Sequence, residues 1–200
     1  MNQHFPANSG PHNAWATGLL DLLGWLRDEG YAFVTPTPST HTRHLRRRAQ
    51  ARAASLRDAF GWNIPFDESM LPHTCLARWR EAGLIEPHGA LWKSRVRVAS
   101  VGPRLYLHSG FPTDQADSVF FGPDTYRFLR FLHAVLKDRR PPRRLCDFGA
   151  GSGVGAIEAA FRFPQAAMIG VECNESALML ARVNAAFNQA EVAWVASDCL

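Results

Sequence analysis

The sequence predicts an α/β fold in its last quarter, a parallel and doubly wound sheet, preceded by a mostly helical, winged front domain. Three observations carry this. A short apolar run, Arg144-Leu-Cys-Asp147, ends in an acid and is followed by glycines at every second position, Gly149, Gly151 and Gly153. An apolar segment of helical period (Val154, Ile157, Ala160, Phe161) comes directly after, so the layout is strand, tight turn and helix N-terminus. Farther on, Met168-Ile-Gly-Val171 reads as a second buried strand with Glu172 at its end, 19 residues past Gly153. A doubly wound fold places the acid that holds a ribose at about that distance.

In chain order, residues 1–13 carry no periodic signal and are expected to form a flexible tail. Trp15, Leu19, Leu22, Leu23 and Leu26 fall at helix spacing, and Gly30 supplies the stop. Residues 31–40, rich in Pro and Thr, read as a loop, and residues 42–52, dense in arginine, as a helix. Residues 56–60 continue or follow that helix, and residues 70–84 read as a helix and a turn. Residues 90–99 and 104–108 alternate apolar and polar across Gly102-Pro103, a β-hairpin signal. Lys93, Arg95 and Arg97 would then line one face of its first strand. Helices followed by such a wing define a winged-helix-like domain over residues 14–117. Pro123 opens a linker helix within 118–143. Residues 144–200 form the sheet, with a third strand over 192–196.

The glycines let the backbone adopt positive φ and let a ligand lie against the main chain. Three readings fit such a turn: a nucleoside cofactor with cationic groups, a dinucleotide, or a structural turn without ligand. Gly151-x-Gly153-x-x-Ala156 satisfies the dinucleotide fingerprint. Asp147 stands against it, because an acid there would face the pyrophosphate.

These residues resemble the cofactor half of class I S-adenosylmethionine (SAM)-dependent methyltransferases. Asp147-Phe-Gly149-Ala-Gly151-Ser-Gly153 matches their first motif, and Glu172 matches the acid that takes both ribose hydroxyls. Asp198, after the third strand, matches the polar residue that meets the adenine amine. SAM carries a sulfonium and an ammonium, so a carboxylate beside the turn attracts it. The run Ala181-Arg-x-Asn184-Ala-x-x-Asn188 is similar to the small-domain branch, which holds HemK-type release-factor glutamine methyltransferases and RNA and DNA amino-methyltransferases. The resemblance covers residues 144–200 and fades before them. It implies a Rossmann-like sheet, SAM as cofactor, and Asp147, Gly149, Ala150, Gly151, Gly153, Glu172 and Asp198 as cofactor-binding residues. In the family the segment before the first strand closes over the methionine end of SAM, which makes Thr125 and Tyr126 further candidates. The implied acceptor is a nitrogen of RNA (ahead of DNA) or of a protein glutamine such as one on a release factor. The alternative is a non-catalytic nucleic-acid-binding winged-helix module with a vestigial cofactor fold.

The family's sheet has seven strands, and this sequence accounts for the first three. Its catalytic motif, Asn/Asp-Pro-Pro-Tyr after the fourth strand, does not occur in the 200 residues, and no catalytic residue is assigned. The expectation is therefore a front part of a methyltransferase, inactive by itself, whose first strand is an apolar edge open to association.

Charge is uneven. Residues 146–200 hold two basic side chains against six acids, a net −4, and residues 1–145 hold 20 against 12, a net +8, which together give +4. A basic front on an acidic cofactor half suits a negatively charged partner such as RNA or DNA; the other reading is a well-solvated surface. Cys75, Cys146, Cys173 and Cys199 form no Cys-x-x-Cys pair and read as buried thiols of a cytoplasmic protein. The eight histidines are scattered, so no metal is expected, and no signal peptide or membrane span is read.

Overall fold

The computed structural model describes residues 14–48, 52–137 and 140–198. The expected tail over 1–13 and Cys199 lie outside the described residues. Helix α1 (Ala14–Asp28) buries one stripe, Leu19, Leu22, Leu23 and Leu26. Gly30, at φ +66°, lets the chain turn back, and the Tyr31 amide closes on the Leu26 carbonyl at 2.9 Å. Asp21, at the edge of the stripe, accepts from the Trp79 indole at 2.8 Å and pairs with Arg78 at 3.0 Å, which ties α1 to α3 (His73–Glu81).

The helical elements of the front half refine the expected outline and correct it at the start of the second helix. Helix α2 spans Pro38–Arg47 and so starts before the expected residue 42: Thr37 caps it by accepting the Thr40 amide, and Pro38 occupies its first turn, so the end of the Pro- and Thr-rich loop is a helix start; residues 49–51 of the expected helix lie outside the described residues. Residues 56–60 follow that helix rather than continue it, one of the two readings expected. A single π turn (Arg57–Gly61) stands there, with the Asp58 carboxylate taking the Ala54 amide and Arg48. The segment 70–84 begins in a short 3₁₀ turn (Glu68–Met70) before α3.

The single long hairpin is the largest correction. Strand β2 (Leu91–Ser94) pairs antiparallel with β1 (Ile85–His88), and β3 (Val96–Val101) pairs with β4 (Arg104–Ser109). The chain changes partner at Arg95, whose amide goes to Leu84 and whose carbonyl takes Gly110. Lys93, Arg95 and Arg97 therefore share no solvent face. Arg97 is 3% exposed, and it donates to the Ser109 carbonyl at 2.9 Å and to His41 Nδ1 at 3.4 Å. His41 Nε2 donates to the Trp62 carbonyl at 2.9 Å, and its ring stacks on Phe111. His108 is fully buried with neither ring nitrogen hydrogen-bonded, and Lys93 donates to the Phe111 carbonyl. This is a basic interior cluster, not a basic wing. Burial brings the Arg97 pKa down to about 10.

Helix α4 (Pro123–Leu136) leads to β5 (Arg144–Phe148), α5 (Val154–Arg162), β6 (Ala167–Glu172), α6 (Glu175–Asn188) and β7 (Ala193–Ala196). The three strands are parallel in the order β5-β6-β7. Trp194 reaches across β6, where a side chain at Gly170 would overlap its ring. The chain is thus α/β, with antiparallel hairpins in front of a parallel sheet. Among the described residues no helix is long and apolar enough to cross a membrane, and no cluster of His, Cys, Asp or Glu could hold a metal. Cys75 is buried as expected of a core thiol, but Cys146 and Cys173 are exposed, because they sit at uncovered positions on β5 and after β6.

The two halves share one core. Ala177, Leu180 and Val183 of α6 belong to the same buried cluster as Leu19, Leu23 and Trp79. Beside it, Arg104 donates twice to Glu158 of α5, both at 2.7 Å, and the Tyr106 hydroxyl donates to Glu158 Oε1 at 2.5 Å. The Arg104 guanidinium also lies 4.4 Å over the Phe161 ring.

Candidate cofactor site

The site is built on the turn between β5 and α5. Gly149, Gly151 and Gly153 have φ of +67°, +55° and +83°, a left-handed alternation that side-chain-bearing residues adopt at a cost. Gly153 is tight as well: a Cβ there would lie 2.6 Å from the Trp194 ring and 3.0 Å from Ala181 Cβ. The Ala150 amide donates to the Val171 carbonyl at 3.0 Å, and the Gly153 amide to the Ala150 carbonyl at 2.8 Å, so the turn is sewn to β6 and to itself.

Glu172, at the end of β6, reaches back to the turn. Its Oε2 accepts the Gly151 amide at 2.8 Å, and its Oε1 accepts the Asn174 amide at 2.9 Å and the Cys173 thiol at 3.5 Å. Partial burial pushes its pKa up, but the Asn174 and Gly151 amides outweigh that and hold the carboxyl below its usual range. Asn174 caps α6 through the amides of Ser176 and Ala177.

Asp147 sits at the end of β5 with its carboxylate over the start of α5. A Cβ on Gly155 would lie 2.6 Å from Asp147 Oδ2, so glycine there leaves the room the acid occupies. Oδ2 is buried and has no hydrogen-bond partner. Burial pushes the Asp147 pKa up; the Ala156 amide works against this, and the nearby Glu172 charge adds to it. A carboxylate oxygen left without a partner in that position suits a cationic group and repels a pyrophosphate.

Turn, Asp147 and Glu172 come together at one end of the parallel sheet. Asp198 stands two residues past β7, exposed, and the Ser197 amide beside it donates to the Glu172 carbonyl at 3.2 Å. Tyr126 is not part of this group. Its hydroxyl accepts the Thr35 amide and donates to the Ser100 carbonyl, each at 3.2 Å, so it faces the front half. Thr125 Oγ1 accepts the Gly122 amide at the start of α4. Sequence reasoning missed Glu158, marked only as a lone acid within the apolar period of α5, and it gave no role to Asn184 of the Ala181–Asn188 run, whose side chain meets both the turn and β4.

A known family matches this part of the chain. Residues 127–200 match the methyltransferase small domain. The front half, up to residue 126, lies outside that match. A release factor glutamine methyltransferase of Synechocystis sp. is 42% identical over 57 residues, which is 28% of this chain and 19% of that protein's length. The chain is also similar to parts of two solved structures. One is the Pyrococcus abyssi tRNA (uracil-54, C5)-methyltransferase in complex with S-adenosyl-L-homocysteine, with a TM-score of 0.40 and 16% identity, covering 74% of this chain and 33% of that one. The other is the T. thermophilus 16S rRNA N2 G1207 methyltransferase in complex with AdoMet and guanosine, with a TM-score of 0.39 and 18% identity, covering 68% and 41%.

Proposed function

We propose that the chain binds SAM at the 149–153 turn and serves methyl transfer to a nitrogen of RNA. The observation that carries this reading is the buried, unpartnered Asp147 Oδ2 beside a left-handed glycine turn. In this reading Asp147 takes the cofactor's ammonium, and the backbone of Gly149, Ala150, Gly151 and Gly153 lies against its methionine portion. Glu172 takes the ribose hydroxyls; its weak thiol contact is the one a hydroxyl displaces. Asp198 meets the adenine amine. SAM, when bound, supplies a methyl group activated by the adjacent sulfonium.

The RNA preference rests on the +8 balance of residues 1–145 and on Arg43, Arg46 and Arg47, all exposed on α2. Arginines on successive helical turns can contact successive phosphates. A protein glutamine is the second reading, favoured by the 42% identity to an enzyme whose name states that acceptor.

Calorimetry with S-adenosylhomocysteine tests the cofactor. Glu172→Ala is expected to weaken binding by about 2–4 kcal/mol, the value of two charge-assisted hydrogen bonds. Glu172→Gln, which keeps one acceptor, should lose less. Equal affinities in wild type and Glu172→Ala would remove the ribose assignment, and tight NAD binding would remove the class. RNA binding by the intact chain should fall steeply between low and moderate salt. Salt-independent binding, or none at low salt, moves the acceptor to protein; RNA binding with no cofactor binding leaves the non-catalytic module.

A further inference from the structure

Asn184 uses every polar position of its amide on two partners that belong to different halves of the chain. Its Oδ1 accepts the Leu107 amide at 2.8 Å, and its Nδ2 donates to the Leu107 carbonyl at 3.1 Å and to the Ser152 carbonyl at 2.9 Å. A side-chain amide paired with both the N–H and the C=O of one residue imitates an added strand on β4. The reversed amide would set an oxygen against two carbonyls, so the network admits one orientation. Ser152 lies between Gly151 and Gly153 in the cofactor turn. Asn184 is fully buried, and one helical turn earlier on the same face of α6, Ala181 is small enough to let the helix rest on Gly153. Asn188, one turn later, donates to the Leu105 carbonyl of β4 at 2.9 Å and makes no hydrogen bond to the turn.

From this geometry we propose that Asn184 is a positioning residue: it anchors the cofactor turn to strand β4 of the front half and thereby sets cofactor affinity. The inference rests on the SAM reading for its affinity part only. The physical reason is conformational. Two glycines with left-handed backbone flank Ser152, so the peptide planes around its carbonyl rotate easily unless something holds that oxygen. Asn184 holds it from α6, and its amide is itself braced on β4, which is paired with β3. The Gly151 and Gly153 amides, one bound to Glu172 and one to Ala150, keep their directions only while the Ser152 plane is fixed. By linkage, a ligand that orders the turn also strengthens the Asn184 contacts on β4.

Asn188→Ala is the control, because it removes a hydrogen bond of the same kind to the same strand. In amide hydrogen exchange on the full chain without ligand, Asn184→Ala should speed exchange at Gly151 and Gly153 at least tenfold, and Asn188→Ala should leave both unchanged. Equal exchange at the turn in both variants overturns the anchor. In calorimetry with S-adenosylhomocysteine, Asn184→Ala should bind at least tenfold more weakly and Asn188→Ala within twofold of wild type; similar affinities overturn the affinity part. A wild type that does not bind S-adenosylhomocysteine sinks the cofactor reading and the affinity part with it, while the exchange comparison still decides the anchor. Should Asn184→Ala fail to fold, wild-type exchange at Leu107 decides: saturating S-adenosylhomocysteine should slow it at least threefold, and slowing confined to residues 149–153 overturns the coupling.

Discussion

Arg104→Ala is expected to lower the free energy of unfolding by about 3–5 kcal/mol, the usual cost of breaking a buried ion pair from one side. Glu158 is buried, and its two oxygens take two guanidinium bonds and the Tyr106 hydroxyl. Without Arg104 the carboxylate keeps one neutral donor and no counter-charge. The bidentate fork also raises the Arg104 pKa, the direction expected of a group held charged by its partner. Lysine cannot supply that fork, so Arg104→Lys should recover only part of the loss. Replacing both ends with apolar residues (Arg104→Met with Glu158→Leu) should be milder than either single alanine. Chemical denaturation reads all of these, and a loss below about 1 kcal/mol for Arg104→Ala would rank the pair with exposed ones.

Acid should weaken the fold through His41. Burial, with the adjacent Arg97 charge, lowers its pKa from 6.5 to about 4, and its two ring nitrogens are committed, Nε2 as donor to Trp62 and Nδ1 as acceptor from Arg97. Protonation would put an N–H against the guanidinium. Arg97, His44 and Lys93 all face it with positive charge, and no carboxylate is among the groups acting on it. The unfolded chain takes up the proton near pH 6.5 and the folded one only near 4, so stability is complete above 6.5 and is lost as pH falls toward 4. At about 1.4 kcal/mol per pH unit of separation, the loss across that window is about 3 kcal/mol. His108, lowered in the same direction by burial, adds to it. Denaturant midpoints measured from pH 7 to pH 4 check this, with His41→Phe expected to give a flatter profile; a wild-type profile without slope in that window would discard it.

Signals that are local in the chain were the legible ones. The glycine turn announces itself because three glycines at alternate positions meet a backbone that is left-handed at each. Strands β5 and β6 are short apolar runs bounded by turn residues, and α6 has an Asn cap at its start. What failed to show was the choice of partner. Residues 90–99 read as one strand, yet Arg95 divides it, because its amide and carbonyl bond to Leu84 and Gly110, residues no periodicity connects to it. The inward turn of Arg97 was hidden for a related reason. Both faces of β3 are covered, so the parity of a position says nothing about burial. Helix α2 was misplaced at its start because Pro and Thr signal loops and helix caps alike, and only the Thr37 hydrogen bond distinguishes the two. At the site, Asp147 and Glu172 could be read from their distance to the glycines, whereas Asn184 and Glu158 depend on β4 lying against α5 and α6.

Because α6 contributes side chains to the same apolar cluster as α1 and α3, the natural seam for exchanging front halves between related proteins does not fall at residue 118 or 143. A chimera joined there would place a foreign front against Ala177, Leu180 and Val183, surfaces shaped for this one, and would strip Asn184 and Asn188 of the strand they bind. The transferable block is the front half together with the buried face of α6 that packs on it. A lineage acquiring a new front half would have to rewrite that face of α6 at the same time.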